Sequence, residues 1–452
     1  MHIHILGICG TFMAGIAELA GQLEHRVTGS DANVYPPMST FLRKRGIKVF
    51  EGYDRSQLEP APDLVLIGNA LSRGNEAVEY TLSERLPYQS GPQWLAEEVL
   101  RSRHVIAVAG THGKTTTTSI LAWILEQCGL EPGYLIGGIA KDFDGPAKLG
   151  GGRYFVIEAD EYDTAFFDKR SKFIHYHPET LVINNLEFDH ADIFPDLEAI
   201  KLQFHHLLKT VPAAGTVLYA SDDPEIEDVL VRGCWSHRSR FGFAPSAERQ
   251  IVDYEVSGPG KFGLRAAGER PLIVHSPLLG RHNALNATAA LSAAAEVGVP
   301  LREAITALAS FGGVRRRLEV IGTIKGITVY DDFAHHPTAI RATLEALRTA
   351  VGGARVICIL EPRSNTMRLG VHAPVLGAAL ECADLVYVYA DPNLTWAPQS
   401  IADALGPGCS VCSSVEEILA RVAESVAAED HVVIMSNGSF SNIHSQLLAA
   451  LD

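Results

Sequence analysis

The chain of 452 residues is 47% hydrophobic and 20% charged, and its formal net charge is −15. It is too long for one hydrophobic core, so we expect about three domains. The acidic balance argues against nucleic acid or an anionic membrane as a partner, and no apolar run approaches the ~18 residues that membrane insertion needs. Seven scattered cysteines and an N-terminus without a leader pattern favour a cytoplasmic protein without disulfides, and we expect a monomer or homodimer.

Residues 1–103 predict a Rossmann-like α/β domain. A buried strand leads through closely spaced glycines into a helical pattern, and a second strand ends at Asp31, where such folds place an acidic contact to a ribose. Cys9 stands where the dinucleotide fingerprint has its second glycine, so glycines that serve only strand–helix packing remain an alternative. A further strand at 63–67 ends in a loop at the sheet edge where ligands of open α/β sheets bind.

Residues 104–312 predict a central domain built around a phosphate-binding loop. A buried strand breaks into GTHGKT, from Gly110 to Thr115, and a helical pattern follows. Glycines let a phosphate chain approach backbone N–H groups, Lys114 places a positive charge on the terminal phosphates, and the hydroxyl of Thr115 suits Mg2+. The longer P-loop pattern has a glycine where this chain has Val108, so an ordinary strand-to-helix turn is the competing interpretation.

Two later strands of this domain lead to acidic and histidine side chains that we expect beside the phosphate-binding loop. One strand ends at Glu158 and another leads to Asp189 and His190. Parallel strands end at the same edge of a sheet, and an acidic residue there is a usual second partner of nucleotide-bound Mg2+. Either Glu158 or His190 alone could instead cap a strand end. Further on, Asn283 and Asn286 share the first turn of an alanine-rich helix, where an amide could contact a base edge or serve as a helix N-cap.

Residues 313–452 predict a third α/β domain. It begins with three arginines, 315–317, which follow two glycines. Solvated side chains are the default for such a run, but a hinge at the glycines would suit delivery of cations to a transferring phosphate. A strand then ends in the acidic and histidine-rich segment DDFAHHPT, 331–338, which forms a dense polar group at the end of a strand.

Five motifs, in this order along the chain, resemble those of the Mur ligases. They are GTHGKTTT from Gly110, EADE from Glu158, the pair Asp189-His190, GRHNALNA from Gly280 and DDFAHHPT from Asp331. The resemblance spans the whole chain and implies an α/β fold with three domains. A Rossmann-like domain (1–103) would bind UDP-N-acetylmuramate, a central P-loop ATPase-like domain with a mainly parallel sheet (104–312) would bind ATP, and a Rossmann-like C-terminal domain (313–452) would close over ATP and bind a peptide.

The opening HILGICGTFMAGIAEL and the DDFAHHPT segment are similar to the branch of the family that acts on UDP-N-acetylmuramate. That branch contains one ligase that adds L-alanine and one that adds a recovered murein tripeptide, L-alanyl-gamma-D-glutamyl-meso-diaminopimelate. The segments EPRSNTM, MSNGSFSNIHSQL, IGNALSRGN and PYQSGPQWL resemble the tripeptide-adding ligase. The resemblance therefore implies an ATP-dependent amide ligase of peptidoglycan recycling that works through an acyl phosphate, with the L-alanine-adding ligase as the alternative.

The same resemblance implies roles for individual residues. Those expected to bind ATP are Gly110, Thr111, His112, Gly113, Lys114, Thr115, Thr116, Asn283, Arg315, Asp331 and Asp332. Of those expected to hold Mg2+, Thr115 would bind one ion and Glu158 with His190 a second. Those expected in catalysis are Lys114, Glu158, His190, Arg315 and His335. Those expected to bind UDP-muramate are Gly10, Thr11, Phe12, Met13, Asp31, Ser72 and Arg73. Arg363 and Asn365 are expected to bind the carboxylates of the peptide. A nucleotide-gated binding protein that keeps the fold without ligating is the alternative from a different class.

Overall fold

The computed structural model describes residues 1–35, 38–256 and 260–452. They form three α/β units in chain order, each built on a sheet of its own. The mixed α/β architecture with largely parallel sheets that the sequence predicts is confirmed. Among the described helices, none combines the length and the apolar character that crossing a bilayer requires.

The first unit contains a five-stranded parallel sheet. Its strands are β1 (His2–Leu6), β2 (Arg26–Asp31), β3 (Lys48–Glu51), β4 (Leu64–Ile67) and β5 (Tyr88–Ser90). Its helices are α1 (Thr11–Gln22), α2 (Met38–Lys44), α3 (Glu76–Ser83) and α4 (Gly91–Leu95), with a 3-10 turn at Arg55–Leu58 and a π-helical turn at Ala96–Leu100. The strand order β3-β2-β1-β4-β5 reverses direction beside β1, which is the doubly wound, Rossmann-like arrangement.

The central unit contains a ten-stranded sheet. Its strands, together with the separate hairpin of β10 and β11, are β6 (His104–Ala109), β7 (Gly133–Leu135), β8 (Ala147–Lys148), β9 (Tyr154–Glu158), β10 (Asp163–Ala165), β11 (Asp168–Ser171), β12 (Thr180–Ile183), β13 (Thr216–Ala220), β14 (His237–Gly242), β15 (Arg249–Val252), β16 (Lys261–Ala266) and β17 (Leu272–His275). Its helices are α5 (Lys114–Gln127), α6 (Leu197–Leu208), α7 (Pro224–Val231), α8 (Arg281–Glu296) and α9 (Leu301–Leu308), with a 3-10 turn at Lys172–His175. The order is β17-β16-β15-β14-β13-β12-β6-β9-β7-β8, and β6 pairs in parallel with both β12 and β9. The segments that follow these three strands therefore leave the sheet at the same edge.

The third unit contains a six-stranded sheet. Its strands are β18 (Glu319–Ile324), β19 (Ile327–Asp332), β20 (Val356–Leu360), β21 (Leu385–Tyr389), β22 (Cys409–Cys412) and β23 (His431–Met435). Its helices are α10 (Pro337–Val351), α11 (Asn365–Arg368), α12 (Ala373–Leu380), α13 (Gln399–Leu405), α14 (Val415–Ser425) and α15 (Ile443–Leu451), with 3-10 turns at Gly406–Gly408 and Phe440–Asn442. The order is β18-β19-β23-β20-β21-β22, and only the edge pair β18–β19 is antiparallel.

The first two units share one hydrophobic core, whereas the third unit has its own. A single cluster of buried side chains runs from Ile3 in β1 through Val108 in β6 to Val314. At the junction, α1 lies so close to the central sheet that a Cβ on Gly15 would collide with Leu135. The two clusters of the third unit begin only at Ile327 and cover the two faces of its sheet. Because shared apolar burial is what holds units together most strongly, the first two units form one packed body.

The third unit meets this body through polar contacts. Three of its side chains donate hydrogen bonds to carboxylates of the central unit, namely Thr338 to Glu187 (2.6 Å), Asn365 to Asp192 (2.8 Å) and Thr366 to Asp189 (2.9 Å). The connecting segment is also held by backbone hydrogen bonds, from Lys141 to Gly313 and from Arg315 to Ile139, each 2.9 Å long. The third unit therefore roofs the edge of the central sheet at which β6, β9 and β12 end.

Candidate active site

A cleft of about 1240 Å³ lies between the carboxyl edge of the central sheet and the third unit. The phosphate loop, the segments after β9 and β12 and the start of α8 line it from below, while residues 314–319 and 331–339 line it from the third unit. Thr11 and Tyr35 of the first unit border the same cleft. All three units therefore contribute to one space.

The loop between β6 and α5 has the geometry of a phosphate cradle. Gly110 has φ +130° and Gly113, directly before α5, has φ +78°. A Cβ on Gly113 would collide with the side chain of Asn286, and one on Gly110 would lie 3.0 Å from the carbonyl oxygen of Asn185. Only glycine fits both positions, and the N–H groups at the start of α5 face the cleft, so the loop suits an anion such as a phosphate chain.

The position that lacks the extra glycine of the longer P-loop pattern lies inside a strand. Val108 is fully buried in β6 and stands in register with Glu158 on one side and Val182 on the other. The loop therefore begins only at Gly110, which explains why the shorter pattern is sufficient here.

The segment after β12 holds this loop in place. The carbonyl of Asn185 accepts from the N–H of Thr111 (3.1 Å), and its side-chain Oδ1 accepts from the N–H of His112 (2.7 Å). Asn184 Nδ2 donates to Thr117 Oγ1 (3.0 Å) inside α5. The loop is thus bonded from the neighbouring strand before any ligand arrives, which reduces the ordering cost of binding.

Thr115 and Glu158 form one pair at the start of α5. Thr115 Oγ1 donates to Glu158 Oε1 (3.1 Å), and the N–H of Gly137 donates to Oε2 (2.7 Å). Burial raises the pKa of Glu158, against the lowering effect of the Lys114 charge. A hydroxyl and a carboxylate are the hard oxygen ligands that Mg2+ prefers, so this pair fits the ion that the resemblance implies.

Lys114 lies between the loop and a group of carboxylates. Its Nζ donates to the carbonyl of Gly110 (2.7 Å) and lies 3.1 Å from Glu161 Oε2. Burial lowers the pKa of Lys114, but the negative charges of Glu161, Asp160 and Glu158 outweigh burial and raise it. Lys114 is therefore cationic at neutral pH, as a phosphate ligand has to be.

His190 forms a second cluster with two acids. Its Nε2 lies 3.0 Å from Glu161 Oε1, and the ligand atoms of Asp160, Glu161 and His190 all lie within 4.8 Å of one another. Burial lowers the pKa of His190, but the hydrogen bond and charge of Glu161 outweigh burial and raise it. Glu161 itself is only 1% exposed, so this cluster is well shielded from solvent.

The structure groups the three expected Mg2+ ligands differently from the prediction, which paired Glu158 with His190. Glu158 turns toward Gly137 and Thr115, whereas His190, at φ +57°, turns toward Glu161. The reason lies in the backbone, because Glu158 is still held in β9, whereas His190 lies well beyond the end of β12 in a left-handed conformation. Which of the two clusters takes a metal ion stays a prediction.

Asn283 lines the cleft from the first turn of α8. The N-cap of α8 is Gly280 and carries no side-chain cap bond, so the interpretation of Asn283 as an N-cap is wrong. Instead, Asn283 Nδ2 donates to the carbonyl of Leu279 (2.8 Å), and its Oδ1 accepts from Asn286 (3.1 Å). These bonds fix the amide at the cleft wall, and its contact with adenine stays a prediction.

Of the three arginines, the structure brings Arg317 rather than Arg315 to the phosphate loop. Arg317 Nη2 lies 3.5 Å from Thr115 Oγ1. Arg316 has φ +60° and turns away, donating to the carbonyl of Ser436 (2.6 Å), while Arg315 is exposed. The left-handed backbone at Arg316 sends successive side chains in different directions, and the sequence does not reveal such a turn. The geometry therefore favours Arg317 for the role that was predicted for Arg315.

Asp331 and Asp332 mainly organise this arginine segment. Both oxygens of Asp332 accept backbone hydrogen bonds, from Leu318 and from Ala334, each 2.7 Å long. Asp331 Oδ2 lies 3.3 Å from Arg316 Nε. Both acids line the cleft, but their contact with ATP stays a prediction.

His335 presents a neutral imidazole at the cleft. Its Nδ1 lies 3.0 Å from the carbonyl of Phe333, and its Nε2 lies 3.9 Å from Asp189 Oδ2. Burial lowers the pKa of His335 to about 4. With the Nδ1–H donating to Phe333, Nε2 keeps its lone pair and can accept a hydrogen bond from an incoming amine.

The predicted UDP-muramate residues of the first unit fall into two groups. Asp31 is 7% exposed and accepts from the N–H groups of Cys9 (2.8 Å) and Asn33 (2.9 Å), so it fixes the loop before α1. The first hydrogen bond within α1 runs from the N–H of Ala14 to the carbonyl of Gly10 (2.8 Å). The N–H groups of residues 11–13 therefore have no partner inside the helix, and such free N–H groups at a helix N-terminus suit a diphosphate.

Side chains in the same set differ in their availability. Thr11 and Phe12 are partly exposed, whereas Met13 is 6% exposed and packs in the core, so only its backbone can contact a ligand. Ser72 is exposed, and Arg73 forms a two-point ion pair with Glu79 (2.9 and 3.0 Å). The roles of these residues stay predictions.

The two residues predicted to bind peptide carboxylates lie beside the cleft rather than on its lining. Arg363 Nη1 lies 3.8 Å from Glu361 Oε1, and its side chain packs against Gly438. Asn365 begins α11 and donates to Asp192 of the central unit. Neither residue is among the described residues that line the main cleft, so their role in peptide binding stays a prediction.

Three polar residues of the site, Glu161, Glu187 and His282, had no predicted role, and Arg317 was named only as one of the three arginines at 315–317. Membership of EADE was the only signal for Glu161 and membership of GRHNALNA the only one for His282, whereas Glu187 lies just before the pair Asp189-His190. His282 lines the cleft near the arginines, and burial lowers its pKa to about 4. Their importance depends on contacts between segments far apart in the sequence, which no local pattern encodes.

Three family models match the chain. They are the Mur ligase family, catalytic domain at residues 2–103, the Mur ligase middle domain at 108–294 and the Mur ligase, glutamate ligase domain at 316–438. The UDP-N-acetylmuramate–L-alanyl-gamma-D-glutamyl-meso-2,6-diaminoheptandioate ligase of Escherichia coli is 52% identical over 452 residues, covering 100% of this chain and 98% of that protein. The ligase of the same name from Haemophilus influenzae is 50% identical, covering 100% and 99%.

Solved structures are similar over the same length. A murein peptide ligase from Psychrobacter arcticus is 45% identical with a TM-score of 0.78, covering 100% of this chain and 98% of that one. A UDP-N-acetylmuramate–alanine ligase from Thermotoga maritima has a TM-score of 0.84, covering 99% and 98%, but at 24% identity it shows the fold alone.

Proposed function

The chain belongs to the Mur ligase family, and we propose that it joins UDP-N-acetylmuramate to the tripeptide L-alanyl-gamma-D-glutamyl-meso-diaminopimelate at the expense of ATP. The observation that carries this proposal is the match, over essentially the whole length of both proteins, to two ligases named for that tripeptide. Named L-alanine ligases also match, but one from Syntrophomonas wolfei, at near-complete coverage, is only 33% identical. The difference favours the tripeptide as the amine substrate.

The proposed reaction has two steps that balance in atoms and charge. A carboxylate oxygen of the muramate attacks the γ-phosphorus of ATP, ADP leaves, and an acyl phosphate forms. The tripeptide α-amine then attacks the acyl carbon, phosphate leaves, and the amine loses a proton to solvent. Both steps move negative charge, so fixed cations supply most of the stabilisation.

The residues of the cleft have groups suited to each part of this chemistry. Lys114 and the N–H groups of the phosphate loop would hold the β- and γ-phosphates, and Arg317 would bind the transferring phosphoryl from the third unit. Thr115 with Glu158 would hold Mg2+, which neutralises phosphate charge when bound. His335, neutral at physiological pH, would orient the amine.

Electrostatics also favours a metal-dependent reaction. The carboxylates of Glu158, Asp160 and Glu161 surround Lys114, and alone they would repel a triphosphate. A divalent cation on these oxygens would reverse the local sign of charge. The third unit covers the cleft and would exclude water, because water would otherwise hydrolyse the acyl phosphate.

The test offers the two amines separately. The purified protein is incubated with ATP, Mg2+ and UDP-N-acetylmuramate, together with tripeptide, with L-alanine or with neither, while ADP release and product mass are measured. ADP release that depends on the tripeptide, with a product heavier by the tripeptide less one water, is the expected result. Turnover with L-alanine alone would contradict the proposal in favour of the alternative ligase. ATP binding without ADP release under any condition would indicate a nucleotide-gated binding protein.

The cytoplasm is the compartment in which we place this reaction. ATP and a UDP-linked sugar are its substrates, and all seven cysteines of the sequence lie among the described residues without forming a disulfide. We keep a monomer or homodimer as the expected assembly, and a sedimentation experiment measures it directly.

A further inference from the structure

Three histidines and a glutamate meet at the contact between the central and third units, and the proposed reaction assigns no role to their side chains, although the backbone of His112 belongs to the phosphate loop. The group consists of His112 from the phosphate loop, Glu187 from the segment after β12, and His336 and His372 from the third unit. We propose that His112, Glu187 and His336 form a binding site for a divalent transition metal ion such as Zn2+, which fastens the third unit to the phosphate loop. This inference is independent of the proposed function, because it depends only on the contacts described below.

Two of the three distances between the ligand atoms already match those of a tetrahedral site. Glu187 Oε2 lies 3.6 Å from His112 Nε2 and 3.5 Å from His336 Nδ1, and all three atoms lie within 4.8 Å of one another. With zinc–ligand bonds of about 2.0–2.1 Å, two ligands of a tetrahedral ion are about 3.4 Å apart. The side chains would therefore bind the ion with small movements only.

The hydrogen bonding of His336 leaves the correct nitrogen free for a metal. Its Nε2 lies 3.3 Å from the carbonyl of Phe188, where the ring can only donate, so Nδ1 carries the lone pair on the side of Glu187. A bond from the second ring nitrogen to a backbone carbonyl is the usual support of a metal-binding histidine. The N–H of Thr338 donates to Nδ1 at a long 3.3 Å, and a metal ion would replace this contact. Burial also lowers the pKa of His336 to about 3, so the imidazole is neutral.

Two buried ring nitrogens lack partners within the described parts of the chain. His112 Nε2 makes no hydrogen bond there, because its distance to Glu187 exceeds bonding range, and His372 Nε2 makes none either. His372 is 8% exposed and its ring centroid lies 4.3 Å from that of His336. Buried polar atoms without partners are uncommon in folded proteins and destabilise them. A metal ion would give His112 a partner, and His372 packs against the proposed ligand His336.

The donor set separates this site from the oxygen-rich one at Thr115 and Glu158. Two imidazoles with a carboxylate suit Zn2+, Ni2+ or Cu2+, whereas hydroxyl and carboxylate oxygens suit Mg2+. Two of the proposed ligands belong to the central unit and His336 belongs to the third, so the site is complete only while the roof is closed. We therefore expect Zn2+ to stabilise the closed arrangement and to slow turnover.

Calorimetric titration with ZnCl2 in excess Mg2+ tests the site, because Mg2+ occupies oxygen-rich positions, and the variants below distinguish it from the cluster of Asp160, Glu161 and His190, which also offers an imidazole. One strongly bound Zn2+ per full-length chain is the expected result. His336→Asn should weaken it by at least about 100-fold, while asparagine still caps α10. The matched control is His206→Asn on α6, which should bind zinc as the wild type does. Co2+ in place of Zn2+ should give the intense visible absorption of a tetrahedral site in the wild type and in the control.

The outcomes decide the proposal in either direction. Wild-type protein that binds no Zn2+ in excess Mg2+, or a folded His336→Asn variant that binds it as tightly as the wild type, would overturn it. If His336→Asn proves unstable on thermal melting, Glu187→Gln replaces it, because glutamine has the same shape and can still accept from Thr338. That variant should bind Zn2+ at least about tenfold more weakly, and unchanged affinity would again overturn the site.

Discussion

The first and central units contain the same local device, a buried strand that passes through a glycine loop into a helix, yet the two loops are held by opposite chemistry. The loop before α1 is fixed by a carboxylate, that of Asp31, whereas the loop before α5 is fixed by the neutral amide of Asn185 and carries Lys114. Backbone N–H groups alone suffice to bind an anion, but a phosphoryl that is to be transferred needs cations where charge develops. The shared strand–loop–helix motif therefore predicts anion binding, and the neighbouring side chains determine whether a bound phosphoryl group is also transferred.

Among the variants that test the difference between the two loops, Lys114→Met should cause the largest loss of turnover. Loss of the cation should lower turnover by at least about 10³-fold, because the charge on the transferring phosphoryl is no longer neutralised. Steady-state kinetics measures this. The variant also removes one of the two partners of Glu161, leaving His190 as the other, so the melting temperature should fall. The double variant with Glu161→Gln should regain melting temperature but not turnover, and regained turnover would contradict the role of Lys114.

Glu158→Gln tests the carboxylate that only the central loop has beside it. We expect turnover to fall by about 10²–10³-fold, because the amide still accepts from Thr115 and Gly137 but no longer supplies a charged ligand for a cation. ATP affinity, measured by calorimetry, should change much less. Unchanged turnover would return Glu158 to a purely structural role at the end of β9.

Arg317→Met and Arg315→Met compare the two arginines directly. We expect a loss of about 10²-fold in kcat for Arg317, whose guanidinium reaches the phosphate loop, and less than about threefold for exposed Arg315. The kcat values of both variants at saturating ATP measure the difference. A larger loss for Arg315 would restore the original prediction from the sequence.

Asp31→Asn should affect the first loop only. The amide can accept one of the two backbone bonds now made to Cys9 and Asn33, so the loop before α1 should loosen. We expect the KM for UDP-N-acetylmuramate to rise by about tenfold, which corresponds to about 1.4 kcal/mol, while kcat changes little. An equal fall in kcat would mean that this loop takes part in the chemical step.

The last prediction concerns stability in acid and leaves the kinetics of both loops unchanged. His4 in β1 is fully buried between the hydroxyls of Thr28 and Ser30, and burial lowers its pKa to about 4. Between pH 6.5 and 4 the unfolded chain binds a proton that the folded chain does not, so stability falls as the pH falls through this window. The contribution at pH 5 is about 2 kcal/mol. Chemical unfolding at pH 7.5 and 5 should show a smaller pH dependence for His4→Gln than for the wild type.

The sequence was sufficient to predict the α/β units, the phosphate loop and the strand ends that meet beside it, because each depends on local periodicity or on the parallel order of strands. It was not sufficient to choose Arg317 over Arg315, since a single left-handed residue, Arg316, decides which side chain reaches Thr115. The partner of His190 escaped prediction for a similar reason. Glu161 and Glu158 differ by three positions in one short segment, and only the packed structure shows which of them turns toward the histidine.

The unequal attachment of the units has a consequence for the rate of a full catalytic cycle. Raising the third unit away from the cleft breaks polar contacts, among them three hydrogen bonds to carboxylates that are each worth about 1.5–3 kcal/mol, and uncovers no shared hydrophobic core. Friction with the solvent, and not the disruption of packed apolar side chains, would limit the rate of such a motion. Release of ADP and product would then depend on how fast a large rigid body diffuses through water, and kcat should fall in proportion as sucrose raises the viscosity of the medium.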